Sequence, residues 1–317
     1  MREVNELPRL RLGLFPTPIH KLEHLSALLG LDLWIKRDDL SGLGLGGNKV
    51  RKLEFLLAEA KTQGAELVFT TGGAQSNHAM LTAAAARRLG MTPILILKQR
   101  GVTACRGNQL LEKLMGVDVR FMDTDDYADI YAEMDRVGQS LGKAYYKIPC
   151  GGSNALGSLG YVACAREIAR QGVDFAHLVC AEGSGGTMAG LALGAKLYLP
   201  GTKVHGMMVD TDPFEEITLR LMREAAALLD AKLDISAADF SLRDMCGPGY
   251  AIPSTEGDEA VRLMAETEGI FLDPVYTGKA FAGLLAMAKE GAFAPGERVL
   301  FLHSGGAGGL FAVDMED

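Results

Sequence analysis

The chain has little of what stabilises small secreted folds or metal centres: five cysteines, six histidines and one tryptophan in 317 residues. Cys105, Cys150, Cys164, Cys180 and Cys246 lie far apart and form no Cys-x-x-Cys pair. That spacing argues against a disulfide framework and fits free buried thiols in a reducing compartment. The histidines are equally scattered, so no metal site is expected. Apolar runs are only strand-sized, such as 94–97, too short to span a membrane. The first eight residues, Met-Arg-Glu-Val-Asn-Glu-Leu-Pro, lack the apolar core of a signal peptide. Lys and Arg number 32 against 40 Asp and Glu, a net charge of −8 with no basic cluster. Neither nucleic acid nor an anionic membrane is therefore an expected partner. Together these absences predict a cytoplasmic protein.

What is present is a hydrophobic content of 48%, enough for the core of one large or two medium domains. Strand-like runs at 33–36, 67–71, 93–97, 117–122, 144–148, 177–181, 203–209 and 299–303 alternate with helical patterns such as 50–62, 79–89, 127–141 and 188–199. The alternation predicts an α/β fold with parallel sheets covered by helices. A glycine-rich link near 150–157 is a candidate domain crossing.

The stretch that organises the rest is Gly46-Gly47-Asn48-Lys49-Val50-Arg51-Lys52-Leu53-Glu54-Phe55. Two glycines let backbone approach a ligand closely, Asn48 is a candidate N-cap, and Val50, Leu53, Leu56, Leu57 and Ala60 share one helical face. Lys49 and Lys52 project from one side of the first turn. The positive end of a helix disfavours cations, so the pair points to an anionic ligand or a lysine held for chemistry. A solvated helix start is the plain alternative.

Four turns fall where strands should end, the position at which open parallel sheets bind ligands. Gly72-Gly73-Ala74-Gln75-Ser76-Asn77-His78 precedes a helix whose amides suit a carboxylate. Capping alone needs only Ser76 or Asn77, not four polar residues in a row. Glu182-Gly183-Ser184-Gly185-Gly186-Thr187 offers a phosphate cradle without the Walker Gly-Lys-Ser/Thr. Its competitor is a dinucleotide site with Asp210 on the ribose. Tyr276, in Phe271-Leu272-Asp273-Pro274-Val275-Tyr276-Thr277-Gly278-Lys279-Ala280, could cover a flat ring or simply pack at a helix start. Ser304, after 299–303, could bond a heterocyclic nitrogen or be an ordinary turn residue.

A reactive lysine, a phosphate cradle, a ring-stacking tyrosine and a hydroxyl for a pyridine nitrogen together suit pyridoxal 5'-phosphate. Gly-Gly-Asn-Lys-x-Arg-Lys-Leu-Glu-Phe, Gln-Ser-Asn-His, Gly-Gly-Ser-Asn-Ala-Leu-Gly (151–157), Gly-Ser-Gly-Gly-Thr, Asp-Pro-Val-Tyr-Thr-Gly-Lys-Ala and the terminal His-Ser-Gly-Gly resemble the D-cysteine desulfhydrase and 1-aminocyclopropane-1-carboxylate deaminase family. The likeness runs from about residue 7 to 311 and is weakest in 99–140 and 205–245.

The resemblance implies the tryptophan-synthase-β type of fold (type II): two open, twisted, mainly parallel sheets with helices on both faces. A large cofactor-binding domain would comprise 1–46 and 158–317, a smaller substrate-side domain 47–157, with the cofactor between them. Lys49 would carry the cofactor covalently; Lys52 and the loop Gly183, Ser184, Gly185, Gly186, Thr187 would hold the phosphate. Asn77 would meet the ring hydroxyl, with Ser76 and His78 facing the substrate and its carboxylate. Tyr276, and Tyr250 in Cys246-Gly247-Pro248-Gly249-Tyr250, match the family's active-site tyrosines. Ser304 matches its residue near the pyridine nitrogen, where a hydroxyl would leave that nitrogen largely neutral. A small amino-acid substrate and a homodimer are also implied.

Ring-opening deaminases of the family usually carry Glu directly after the tyrosine matched by Tyr276, whereas this chain has Thr277, as desulfhydrases do. D-cysteine desulfhydration is therefore expected first, with ring-opening deamination and L-cysteate sulfo-lyase activity as alternatives. Two departures bear on the pocket: Glu182 replaces a residue that is usually small and uncharged, and the 100–108 loop is shortened. From other classes, a nucleotide-dependent oxidoreductase would leave Lys49 and Tyr276 without a shared purpose. A non-catalytic ligand sensor would not need Lys49.

Overall fold

The computed structural model describes residues 1–313 and has ten strands among them: β1 (Ile19–Lys21), β2 (Asp32–Arg37), β3 (Leu67–Thr70), β4 (Thr92–Lys98), β5 (Asp118–Met122), β6 (Tyr145–Lys147), β7 (His177–Glu182), β8 (Lys203–Met208), β9 (Ser241–Asp244) and β10 (Arg298–His303). They form two sheets, in the orders β1-β2-β10-β7-β8-β9 and β5-β4-β3-β6. Only β1 runs antiparallel to its neighbour; every other pairing is parallel. This is the expected α/β class.

Burial explains which strands the sequence reveals. In β10, Val299 to His303 are all buried, and Phe301 lies in register with Ile35 of β2 and Val179 of β7. Covered by helices on both faces, such a strand is apolar along its length. The two strands the sequence does not announce, β1 and β9, are short edge strands with half-buried or exposed polar residues. There, no run of apolar side chains is required.

Helices approach one another closely through glycines. A Cβ at Gly190 would lie 2.2 Å from the Ser158 carbonyl oxygen, and one at Gly160 would lie 2.5 Å from that of Arg51. The contacts fix helix Lys49–Thr62 against helix Ala155–Arg170, and the latter against Gly186–Tyr198. Arg51 adds a buried electrostatic anchor: its guanidinium donates to Asp38 at 2.7 and 2.8 Å and to Glu167 at 2.9 Å. Lys36 and Tyr161 complete the group, at 2.5 Å from Glu167 and 2.6 Å from Asp38 respectively.

The expected start of helix Lys49–Thr62 needs one correction. Asn48 occupies the N-cap position, but its side chain caps nothing; it reaches across to donate to Thr187 Oγ1 at 3.0 Å. The first turn is tied to the other sheet's loop rather than to itself. No helix among the described residues is long and apolar enough to cross a membrane.

Candidate active site

Strands of both sheets point their carboxyl ends at one cavity of about 230 Å³. From the four-stranded sheet come Gly72, Gly73, Ser76, Asn77 and His78 after β3, Lys98 and Arg100 at the end of β4, and Cys150, Gly151 and Ser153 after β6. From the six-stranded sheet come Glu182, Gly183, Ser184, Gly185 and Thr187 at the end of β7, Asp210 and Asp212 after β8, and Ser304 after β10. Lys49, Tyr250 and Tyr276 close the remaining walls. Eleven of the thirteen residues singled out in the sequence line this space; Lys52 and Gly186 lie directly behind its wall.

Lys49 opens its helix at the cavity edge, and burial pulls its ammonium below the ordinary lysine range, against the pull of Cys150 and Glu182. Lys52, one turn on, is fully buried; desolvation and the neighbouring Lys49 push it down further. Its Nζ donates to the Gly151 carbonyl and Ser153 Oγ, both at 3.1 Å. Lys52 thus supports the cradle from below: a Cβ at Gly186 would lie 2.8 Å from Nζ and 2.7 Å from Ser153 Oγ. A side chain at this position would displace the ammonium and the hydroxyl from the loop.

Ser153 carries no role in the sequence reading, yet it joins the cradle on three sides. Its Oγ accepts from Lys52 Nζ, accepts from the Gly186 N–H at 3.2 Å and lies 2.9 Å from Ser184 Oγ. Its signal was present in the 151–157 motif, but nothing local tied it to a loop thirty residues later. Glu182 fills part of the same loop: Oε1 accepts from the N–H groups of Ser184, at 3.1 Å, and Gly185. Burial raises the Glu182 carboxyl above its ordinary range, opposed by those amides and by Lys52 and Lys49.

The polar turn after β3 has both a structural and a cavity-facing side. Ser76 does cap its helix, accepting from the Ala79 N–H at 3.2 Å, and it also lines the cavity. Asn77 Oδ1 accepts from Asn108 Nδ2 at 2.8 Å, which leaves the Asn77 amide nitrogen as the free donor. Asn108 was missed because it opens helix Asn108–Leu114, far along the chain from Asn77, and no local pattern ties the two together. His78 is buried, with Nε2 2.9 Å from Thr70 Oγ1; that hydroxyl gives its proton to the Ile148 carbonyl, so Nε2 carries the hydrogen. Desolvation, Lys49 and Lys52 keep this imidazole neutral, well below the ordinary histidine range.

The two tyrosines meet at the opposite wall, their hydroxyls 2.5 Å apart. Burial pushes Tyr250 up to about 12 and raises Tyr276 as well, so both phenols are neutral at physiological pH. Tyr276 is set by buried Asp273, which accepts from the N–H groups of Val275, Tyr276 and Thr277 at 2.8 to 3.0 Å. Its ring lies against Gly183, where a Cβ would come within 3.3 Å. Thr277 turns its hydroxyl to Asp273 Oδ1 at 2.7 Å and is fully buried.

At the mouth, Asp210 does not stand free as a ribose ligand would: it faces Arg100 at 3.7 Å, whose guanidinium lies 5.1 Å from the centre of the Tyr250 ring. Lys98 lies over the Tyr127 ring at 3.7 Å, and Tyr127 donates to Cys150 Sγ at 3.1 Å.

Comparison with known proteins gives the same direction. A family model described as "Pyridoxal-phosphate dependent enzyme" matches residues 10–305. Two relatives, from Pyrococcus furiosus and Pyrococcus horikoshii, both bear the name "Putative 1-aminocyclopropane-1-carboxylate deaminase". The first is 41% identical over 322 residues, covering 97% of this chain and 94% of the relative. The second is 42% identical over 314 residues, covering 96% and 94%. A crystal structure of an "ACC deaminase homologue" superposes with a TM-score of 0.91 at 41% identity, covering 97% of this chain and 94% of that one. The processed form of threonine deaminase isoform 2 from Solanum lycopersicum shares the fold, with a TM-score of 0.65 at 18% identity over 99% of this chain and 82% of its own.

Proposed function

The chain belongs to the pyridoxal-phosphate dependent enzyme family, and from that premise we propose that it carries out β-elimination on a small amino acid, converting D-cysteine to pyruvate, hydrogen sulfide and ammonia. The residues of the cavity fit the cofactor: an amine with lowered basicity, a glycine cradle backed by a buried lysine, and a tyrosine ring at its edge. When bound, pyridoxal phosphate supplies electron withdrawal that makes the α-proton of an attached amino acid acidic.

In this reading Lys49 holds the cofactor, and its amine, once free, takes the α-proton. Desolvation raises the fraction of neutral amine available for that task near neutral pH. Gly183, Ser184, Gly185, Gly186 and Thr187 hold the phosphate, with Lys52 and Ser153 supporting them from behind. Asn77 donates to the ring oxygen with the amide nitrogen that Asn108 leaves free. Ser304, which lines the cavity, would face the pyridine nitrogen; as a hydroxyl it would neither stabilise nor require a positive charge there. The substrate carboxylate docks at the start of helix Asn77–Arg88, beside Ser76 and neutral His78. The Tyr250–Tyr276 pair positions a proton at the leaving group. Residues 47–157 form the smaller, substrate-side domain in this scheme, 1–46 and 158–317 the larger, and a homodimer is its assembly.

Thr277 carries the choice of leaving group. The residue beside Tyr276 has no acid, and its hydroxyl is spent on Asp273. That supports expulsion of a β-sulfur, which needs no extra acid, over opening of a cyclopropane ring. The second reading, 1-aminocyclopropane-1-carboxylate deamination, is favoured by the names of the two Pyrococcus relatives; L-cysteate as substrate is the third. The deciding experiment measures keto-acid and sulfide release from D-cysteine, L-cysteine, L-cysteate and the cyclopropane substrate side by side. Pyruvate with sulfide from D-cysteine is expected; 2-oxobutyrate from the cyclopropane substrate, with D-cysteine inert, would replace the first reading by the second.

A further inference from the structure

Glu182 ends β7 with its side chain 1% exposed, inside the loop that would take a phosphate. Oε1 occupies the Ser184 and Gly185 amides, while Oε2 has no hydrogen-bond partner among the described residues. These amides precede helix Gly186–Tyr198, whose N-terminal partial charge favours an anion. In this chain an anion already belongs to the protein.

The groups facing the carboxylate are few. Lys49 and Lys52 approach from their helix, and Cys180 lies on the same strand. Across on β8, Met208 is in register with Glu182 and Gly206 lies beside its Cβ, with Met188 nearby; none of these titrates. The two amides and two lysines favour the ionised carboxylate, against the burial that raises it. A phosphate dianion seated on the same amides would remove half of that support and add like charge beside it.

We infer that Glu182 is a resident anion competing with the cofactor phosphate for the Ser184 and Gly185 amides, so that the cradle accepts phosphate together with one proton taken up from solvent by the Glu182 carboxyl. The balance is simple: the carboxylate becomes a carboxylic acid, the phosphate keeps its charge, and the loaded site holds one proton more. The inference rests on the family's cofactor and is independent of which amino acid is the substrate.

Titration calorimetry of cofactor-free protein with pyridoxal phosphate at pH 8, in two buffers of different ionisation enthalpy, counts the protons. Wild type is expected to take up one proton more than Glu182→Gln. Above neutral pH its affinity is expected to fall about tenfold per pH unit relative to the variant. Inorganic phosphate should protect Glu182→Gln against thermal unfolding at lower concentration than wild type. Pyridoxal, which lacks the phosphate, should bind both alike. Equal proton counts, or weaker phosphate binding by Glu182→Gln, would overturn the inference. If the variant does not fold, wild type decides alone: no extra proton taken up with pyridoxal phosphate, compared with pyridoxal, is equally fatal.

Discussion

Asn108 Nδ2 donates to Asn77 Oδ1 at 2.8 Å, and that single bond orients an amide that lines the cavity. Asn108 is held in turn by the Gln75 carbonyl at 2.8 Å and by Gln75 Oε1, which accepts its N–H at 2.8 Å. Asn108→Ala frees the Asn77 amide to rotate. One hydrogen bond is worth about 1 kcal/mol, so cofactor affinity should fall about five- to tenfold, with a shifted absorption band. Titration of the cofactor spectrum checks this, and an unchanged spectrum and affinity would remove Asn108 from the site.

The Tyr250–Tyr276 contact predicts a kinetic effect rather than a binding one. With hydroxyls 2.5 Å apart, one phenol donates to the other and a proton is held between them. Tyr276→Phe should keep the cofactor colour but lower kcat by about 10² to 10⁴, the usual range for losing a positioned acid. Tyr250→Phe should act in the same direction, and the double variant should lose less than the product of the two. Because burial places Tyr250 at about 12, the alkaline limb of the pH–rate profile below pH 10 should be the same in Tyr250→Phe as in wild type.

The sequence revealed whatever is repeated or contiguous. Central strands such as β7 and β10 were legible because burial on both faces forces an apolar run, and the loops after β3 and β7 because their glycines and polar residues are consecutive. What stayed hidden depends on contacts between distant segments. Ser153 meets Ser184 and Asn48 meets Thr187 only after the two sheets face each other, and Asn108 meets Asn77 only once β3 and β4 are paired. Asn48 shows the risk in the local rule: the position is a helix cap, but a better partner lay across the cavity. The strands β1 and β9 were silent for another reason, since an edge strand with polar, partly exposed residues has no periodic signature.

Lys49→Ala tests the centre of the proposal. The variant should be colourless and inactive, since no other lysine lines the cavity except Lys98, whose Nζ is engaged by the Asp125 carbonyl at 2.6 Å. Absorbance after cofactor addition and a product assay are sufficient. Wild-type turnover would refute the assignment. Lys49→Arg should also fail, because a guanidinium stays protonated and cannot be the nucleophile.

Arg51→Met addresses stability without touching the cavity. Removing the guanidinium leaves Asp38 fully buried and without its main counter-charge, as it is Arg51 that offsets the desolvation raising the Asp38 carboxyl. Breaking a buried pair in this way costs about 3–5 kcal/mol. Chemical denaturation should show that loss, and Asp38→Asn combined with Arg51→Met should recover part of it. A loss under about 1 kcal/mol would mean that water reaches Asp38.

Glu112 predicts a stability that declines with pH. It is fully buried on helix Asn108–Leu114, neither carboxyl oxygen has a hydrogen-bond partner among the described residues, and burial raises its pKa from 4.5 to about 8. Below pH 4.5 the folded and unfolded chains both hold this proton, so the residue costs nothing there. Between 4.5 and about 8 the unfolded chain releases it while the folded chain keeps it, so the unfolded state gains with every pH step. At about 1.4 kcal/mol per pH unit, the interval from 4.5 to about 8 bounds the loss at about 5 kcal/mol. Glu112→Gln has the same shape without the titration. Wild type and variant should therefore melt together at pH 4, and the variant should melt several degrees higher at pH 8, with the gap opening steadily in between. A gap that is constant with pH would mean that Glu112 does not titrate in this window and that the substitution acts through packing alone.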